Sequence, residues 1–184
     1  MWPGKSEAGR CLLVIHMLAC MRARSAGGPR GVMLKKSNIL TNQFVELIEE
    51  NHQEITELFM NDLLKNPDTF SYRKLNRQEV YESANSIYRE ISKWIVKQYP
   101  KEEIEQRFRQ LGRVRFEQGI PASQVYRALV LLKRHLWLFV LKKLYYDASI
   151  YEQAIDLNNR VVLYFDRACF FMLLGYEEML NRKW

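Results

Sequence analysis

Apolar side chains recur three and four residues apart along almost the whole chain after residue 37, and this spacing constrains the fold most. It places one apolar face on each of five helices, at about 38–65, 76–99, 101–118, 121–146 and 149–184. No segment alternates apolar and polar residues as strands do, and no Asn-Gly or Asp-Gly turn occurs. The pattern therefore predicts an all-α fold, an antiparallel bundle of about five helices without a β-sheet.

Local signals set the helix ends. Asn66 and Pro67 should stop the first helix, because a residue before proline avoids the helical conformation. Asn76, with Glu79 three residues later, is typical of a helix start, and Gly119 is typical of a stop. The fourth helix is apolar over most of its circumference, which predicts that it lies at the centre of the bundle or contacts a second subunit.

Charge is distributed unevenly between two parts of the chain. Residues 1–36 contain seven basic residues and one acid, a net charge of +6, whereas residues 37–184 contain 21 basic and 20 acidic residues, a net charge of +1. A near-neutral domain argues against nucleic acid as the partner, because phosphate binding needs an excess of positive charge. We therefore divide the chain into a basic leader, 1–36, and a helical domain, 37–184.

The leader has two interpretations. It is either a disordered segment or lies upstream of the true start, at Met21 or Met33, with a targeting role as the alternative. Its apolar run, 11–20, is too short to span a membrane, and we expect no membrane span. The scattered cysteines form no disulfide framework, which predicts a cytoplasmic protein.

Catalytic and metal-binding motifs are missing from the sequence. There is no P-loop, no nucleophile elbow, no HExxH and no calcium loop, so we expect no enzyme, no metal and no cofactor. Outside the leader the only histidines are His52 and His135, on the first and fourth predicted helices. They are candidate ligands for a cofactor such as haem, and the preferred interpretation is a structural role.

The most unusual charge cluster is a group of arginines on the third predicted helix: Arg107, Arg109, Arg113 and Arg115. Arg109 and Arg113 are four residues apart and can share a face, which Arg127 of the next helix can approach. The cluster either contacts an anion or phosphopeptide or forms ion pairs with the glutamates of the bundle, and we favour the ion pairs. Asp166 and Arg167 adjoin in sequence and should pair with other helices.

These considerations give four candidates for structural or interaction roles: Arg113, Arg127, Asp166 and Arg167. One specific pairing is expected, between Arg113 and Asp166. A salt bridge with a purely structural role would account for this pairing.

Two segments carry a resemblance to a known family. LGRVRFEQGIPASQVYRALVLLKRHL (111–136) and VVLYFDRACFFMLLGYEE (161–178) resemble the N-terminal sensor domain of RsbT co-antagonist RsbRD proteins, and residues 44–67 are similar to the family's first helix. The resemblance implies a helical sensory or regulatory domain in bacterial stress signalling.

In such proteins this domain passes a signal to a C-terminal effector. This chain ends at Trp184 without one, so we expect a stand-alone version acting through a signalling partner or as a homodimer. The alternative is a sensor that binds a small ligand or haem.

Overall fold

A computed structural model describes the fold over residues 37–96, 101–143 and 151–182. All of them belong to one compact unit, 34–184. They form α1 (Ser37–Glu50), α2 (His52–Lys65), a 3-10 helix (Pro67–Lys74), α3 (Arg77–Arg89), α4 (Ile91–Ile95), α5 (Lys101–Glu117), α6 (Ala122–Lys143) and α7 (Tyr151–Asn181). No strand occurs in these ranges, so the all-α prediction is confirmed. The predicted basic leader lies outside the described residues.

Two of the predicted helices are divided, so the described part has more and shorter helices than the five expected. The first divides at Asn51, whose side-chain amide donates to the carbonyl oxygen of Leu47 at 2.8 Å and whose backbone leaves the helical conformation. Asparagine side chains compete in this way with the helix's own hydrogen bonds. The second divides at Glu90. There the carboxylate of Glu49 on α1 accepts the backbone N–H of Ser92 at 2.9 Å and caps α4.

The helix ends follow the local signals. The Asn76 side chain accepts the backbone N–H groups of Gln78 at 2.9 Å and Glu79 at 3.4 Å, as expected of an N-cap. Gly119 ends the turn after α5 with φ at +70°, a left-handed conformation that glycine adopts without strain. Between the first two predicted helices, the segment that begins at Pro67 forms the 3-10 helix.

Side chains from all of these helices form one continuous apolar core, and the exposed faces of the helices lie outside it. Its largest fully buried side chains include Phe44 on α1, Phe59 on α2, Tyr88 on α3 and Phe165 on α7. The Tyr88 hydroxyl donates to the backbone carbonyl of Leu132 at 2.9 Å, which satisfies a polar atom that burial would otherwise leave unpaired. None of the helices in the described ranges is long and apolar enough to cross a membrane.

The most extensive helix pairing is between α5 and α7. Two glycines allow it, because a Cβ at Gly112 would lie 2.1 Å from the carbonyl oxygen of Met172, and one at Gly175 would lie 2.2 Å from the carbonyl oxygen of Arg109. Real Cβ atoms are essentially never found so close to another atom. The two backbones therefore touch directly, and this contact fixes α7 against the arginine-bearing helix.

Candidate functional site

The four arginines of α5 all have glutamate partners. Arg107 lies 4.0 Å from Glu90 and donates to Ser86 Oγ at 2.6 Å. Arg109 lies 2.8 Å from Glu105, one turn earlier on α5. The arrangement agrees with the preferred prediction, in which the arginines form ion pairs with the bundle's own glutamates.

Arg113 binds Glu178 on α7 rather than the expected Asp166. Its Nε and Nη2 atoms donate to Glu178 Oε2 at 2.8 and 2.5 Å, and Arg109 donates to the other oxygen of the same carboxylate. The hydrogen bond from Arg113 is the largest cause that lowers the pKa of Glu178 below its usual value. The predicted Arg113–Asp166 pair is therefore wrong, because the packing of α5 on α7 brings residue 178 and not residue 166 to the arginines.

The other predicted candidates lie apart from this cluster. Arg127 is 3.4 Å from Asp68 of the 3-10 helix, so it does not extend the Arg109–Arg113 face as we expected. Asp166 has an exposed side chain and lies 3.7 Å from Lys133 on α6. Arg167, half-buried on α7, has no hydrogen bond or ion pair among the described residues. The structure thus brings none of Arg127, Asp166 and Arg167 together with Arg113.

The two candidate histidines each lie within hydrogen-bond distance of a side chain on another helix. His52 Nδ1 and Asn85 Oδ1 are 2.6 Å apart, and Thr56 donates to the same oxygen at 3.2 Å. His135 Nε2 lies 3.0 Å from Asp62 Oδ2. In the described ranges no three histidine, cysteine or acidic side chains are grouped as metal ligands would be. The geometry of both histidines fits a structural role.

Arg115 carries a buried charge, and the pattern of charges in the sequence did not by itself predict that this residue is buried. Only 3% of the residue is exposed, and its Nη1 donates to Gln118 Oε1 at 2.5 Å and lies 3.4 Å from Glu79 Oε1. Its guanidinium also lies 5.7 Å from the centre of the Tyr72 ring. Burial raises the pKa of Tyr72 to about 12, and the positive charge of Arg115 opposes this increase. A signal existed in the sequence, since position 115 continues the apolar spacing of Phe108 and Leu111.

The outward side of α7 exposes four large apolar side chains. Leu163, Phe170, Leu173 and Leu180 are between 39% and 57% exposed. Their spacing of seven, three and seven residues puts them on one face of the helix, and we call this set the outer stripe. Two acids, Asp166 and Glu177, occupy the intervening positions of the same repeat, and both are exposed. Coiled-coil helices use this pattern to pair with another helix.

A groove of about 230 Å³ lies beside the outer stripe, between α6 and α7. Its walls include Tyr126, Val130 and Lys133 from α6 and Asp166 and Cys169 from α7. Burial raises the pKa of the Cys169 thiol to about 11, so the thiol is protonated and unreactive at neutral pH. The groove is consistent with an interaction surface.

Comparison with known proteins identifies the family. The model of the family described as RsbT co-antagonist protein rsbRD N-terminal domain matches residues 66–182, which include the 3-10 helix and α3 to α7. No curated protein and no solved structure is significantly similar to the chain. Since the family model covers well over half of the residues, the chain belongs to the RsbT co-antagonist rsbRD N-terminal domain family, which implies a regulatory domain of stress-response signalling.

Proposed function

We propose that the chain is a cytoplasmic, non-catalytic regulatory domain that acts in stress signalling by binding another protein along the outer stripe of α7. The observation that carries this proposal is the set of four large apolar side chains that are exposed on one face of α7 at heptad spacing. Single exposed apolar residues are common on protein surfaces, but a row of them in a heptad pattern is typical of helix pairing.

The energy available at the outer stripe is sufficient for a reversible contact. Complete burial of a leucine or phenylalanine side chain gains about 1.5–3 kcal/mol, and each of these is about half exposed. A partner that covers all four therefore gains roughly 4 kcal/mol from the stripe, before other contacts and the cost of association. The stripe can provide the centre of an interface whose remaining energy comes from its rim.

Charge favours a different protein over a second copy of the chain as the occupant. In a parallel pair of α7 helices, Asp166 would face Asp166 of the second copy, and Glu177 would face Glu177. In an antiparallel pair with matched apolar positions, Asp166 would face Glu177 of the second copy. Like charges directly opposite one another destabilise such pairs. Asp166 is only partly compensated by Lys133 at 3.7 Å. We therefore infer a partner helix with apolar residues opposite the stripe and lysine or arginine opposite the two acids.

Site-specific crosslinking tests the surface directly. A photo-crosslinking amino acid at position 170 of the full chain should trap the partner in cells. The same group at position 58 should not, although Leu58 on α2 is 45% exposed and Phe170 is 57% exposed. Trapping of the partner with equal yield from both positions would contradict the proposal, and a crosslink only to a second copy would replace it with self-association.

Affinity measurements with the purified partner complete the test. Phe170→Asp should weaken binding about 30-fold or more, because it removes a central apolar contact and places a charge in the interface. Leu58→Asp is the matched control and should change the dissociation constant less than threefold. Isothermal titration calorimetry measures both, and equal affinities for the two variants would refute the assignment of the surface.

A further inference from the structure

The groove between α6 and α7 borders the outer stripe. Asp166 lies in the wall of the groove and also between Leu163 and Phe170 of the stripe. Lys133 on α6 lies 3.7 Å from Asp166, so this ion pair connects the two walls of the groove. A partner helix that covers Leu163 and Phe170 would therefore pass directly beside the groove.

The walls of the groove are accessible from solvent. Tyr126 is 48% exposed, and the side chains of Lys133 and Asp166 are 30% and 63% exposed. Leu129 and Phe165 also line the groove and are almost fully buried, so they form an apolar floor. A side chain that enters from outside can therefore contact all three exposed wall residues.

The charges in the groove cancel. Among the described residues that line it, only Lys133 and Asp166 are charged, one positively and one negatively. A charged side chain would gain no net attraction there and would lose its water on entry. The groove therefore suits a neutral side chain, whereas the basic residue expected opposite Asp166 would lie over the stripe.

Three wall residues interact more favourably with an aromatic ring than with an aliphatic chain. The ammonium group of Lys133 is attracted to the face of a ring. The ring of Tyr126 pairs with a second ring in offset or edge-to-face geometry. The sulfur of Cys169 is polarisable and favours contact with the edge of a ring. The chemistry of the walls thus selects an aromatic side chain among the neutral ones.

The size of the groove agrees with one such side chain. Its volume is about 230 Å³, and at about 30 Å³ for each water-sized group it holds roughly eight non-hydrogen atoms. The side chains of phenylalanine and tyrosine have seven and eight non-hydrogen atoms, and that of tryptophan has ten. The groove therefore fits the two smaller aromatic side chains.

We propose that the groove between α6 and α7 receives one phenylalanine or tyrosine side chain of the partner helix that binds the outer stripe. This inference rests on the proposed function and adds the residue that anchors the partner. The ring lies on the apolar floor, with Lys133 over its face and Tyr126 and Cys169 at its sides. An aromatic residue that fills a pocket next to an apolar row is typical of the residues that contribute most to binding.

Titration with a free aromatic fragment tests the groove without the partner. The probe is 4-methylphenol, which is the side chain of tyrosine, and its matched control is 4-methylcyclohexanol, which has the same non-hydrogen atoms without an aromatic ring. Methyl NMR of Leu129 and Val130 in the full chain should show a saturable shift, with a dissociation constant at least threefold lower for 4-methylphenol. Equal constants, or no saturable shift at these methyl groups, would overturn the proposal.

A variant of Lys133 tests whether the ring lies beneath its charge. Lys133→Gln removes the cation and should weaken binding of 4-methylphenol about threefold, with no change for 4-methylcyclohexanol. Arg134→Gln is the control, because Arg134 is exposed and pairs with Asp62 outside the groove. If Lys133→Gln kept the full preference for the aromatic fragment, the ring would not lie where we place it.

The partner that is trapped through position 170 provides the second test. Val130→Trp fills the groove and should weaken binding of this partner at least tenfold in calorimetry, with the melting curve of the variant as the check on folding. Lys133→Gln should weaken it about threefold and Arg134→Gln should not. If Phe170→Asp weakened binding and neither groove variant did, the anchor would be refuted and the proposed function would stand. Wild-type affinity in all of these variants would refute both.

Discussion

An alanine at position 112 would place a methyl group inside the contact between α5 and α7. The added Cβ would lie 2.1 Å from the carbonyl oxygen of Met172, whereas ordinary contacts begin at 3.4 Å. The two backbones would therefore have to separate by about 1.3 Å, the difference between these distances. The obstacle is backbone rather than the end of a flexible side chain, so rotation of a side chain cannot relieve it.

The net effect follows from two opposing contributions. Overpacking a close contact typically costs about 1–3 kcal/mol, and a clash with backbone belongs at the upper end. Alanine is intrinsically better than glycine within a helix by about 1 kcal/mol. We expect Gly112→Ala to lower the free energy of unfolding by about 2 kcal/mol, which corresponds to a decrease in Tm of roughly 4–8 °C for a domain of this size.

Gly175→Ala should behave alike, because its Cβ would lie 2.2 Å from the carbonyl oxygen of Arg109 at the same crossing. The double variant should lose less stability than the two single variants lose together, because one separation of the helices relieves both clashes. Urea unfolding followed by circular dichroism measures the free energy of unfolding of the two single variants and the double variant. The control is Gln106→Ala at an exposed position, whose free energy of unfolding should be within about 0.5 kcal/mol of the wild-type value. An unchanged or increased stability of Gly112→Ala would refute the reasoning.

Two further predictions concern charge and ionisation. Burial raises the pKa of Tyr72 to about 12 from 10.0, so its contribution to stability is complete below pH 10 and is lost as the pH rises toward the folded-state value. The stability difference between wild type and Tyr72→Phe should therefore fall by about 2 kcal/mol between about pH 9.5 and about pH 11.5, and identical pH profiles in urea unfolding would contradict it. In double-mutant cycles with alanine, Arg113 should show a coupling of up to about 1 kcal/mol with Glu178 and none with Asp166. Equal couplings would restore the pairing that we expected from the sequence.

Much of the fold could be predicted because it depends on neighbours along the chain. The spacing of apolar residues located the helices, and Asn76 and Gly119 acted as the cap and stop that their chemistry predicts. The division at Asn51 was missed, although an asparagine within a helix was a warning. The division at Glu90 had a weaker local signal, because the cap of α4 is Glu49 from another helix.

The interaction surface and the burial of Arg115 were less accessible from sequence. Periodicity identifies the apolar residues of α7 but cannot say which of them the core covers, and α7 has more apolar residues than one face can bury. The outer stripe is what remains uncovered after packing. Arg115 lay on the apolar face of α5 by spacing, but its burial became evident only when Tyr72 and Glu79 were placed around it.

The sequence by itself determined that the chain is helical, that the charges of residues 37–184 nearly cancel, and that the arginines of α5 would find glutamates. These properties follow from short-range spacing and from composition. Only the tertiary structure decided which glutamate Arg113 binds, how closely Gly112 approaches α7, and which side of α7 is exposed. Each of these depends on the rotation and translation of one helix relative to another. That geometry is fixed by the packing of the whole core at once, which no local pattern records.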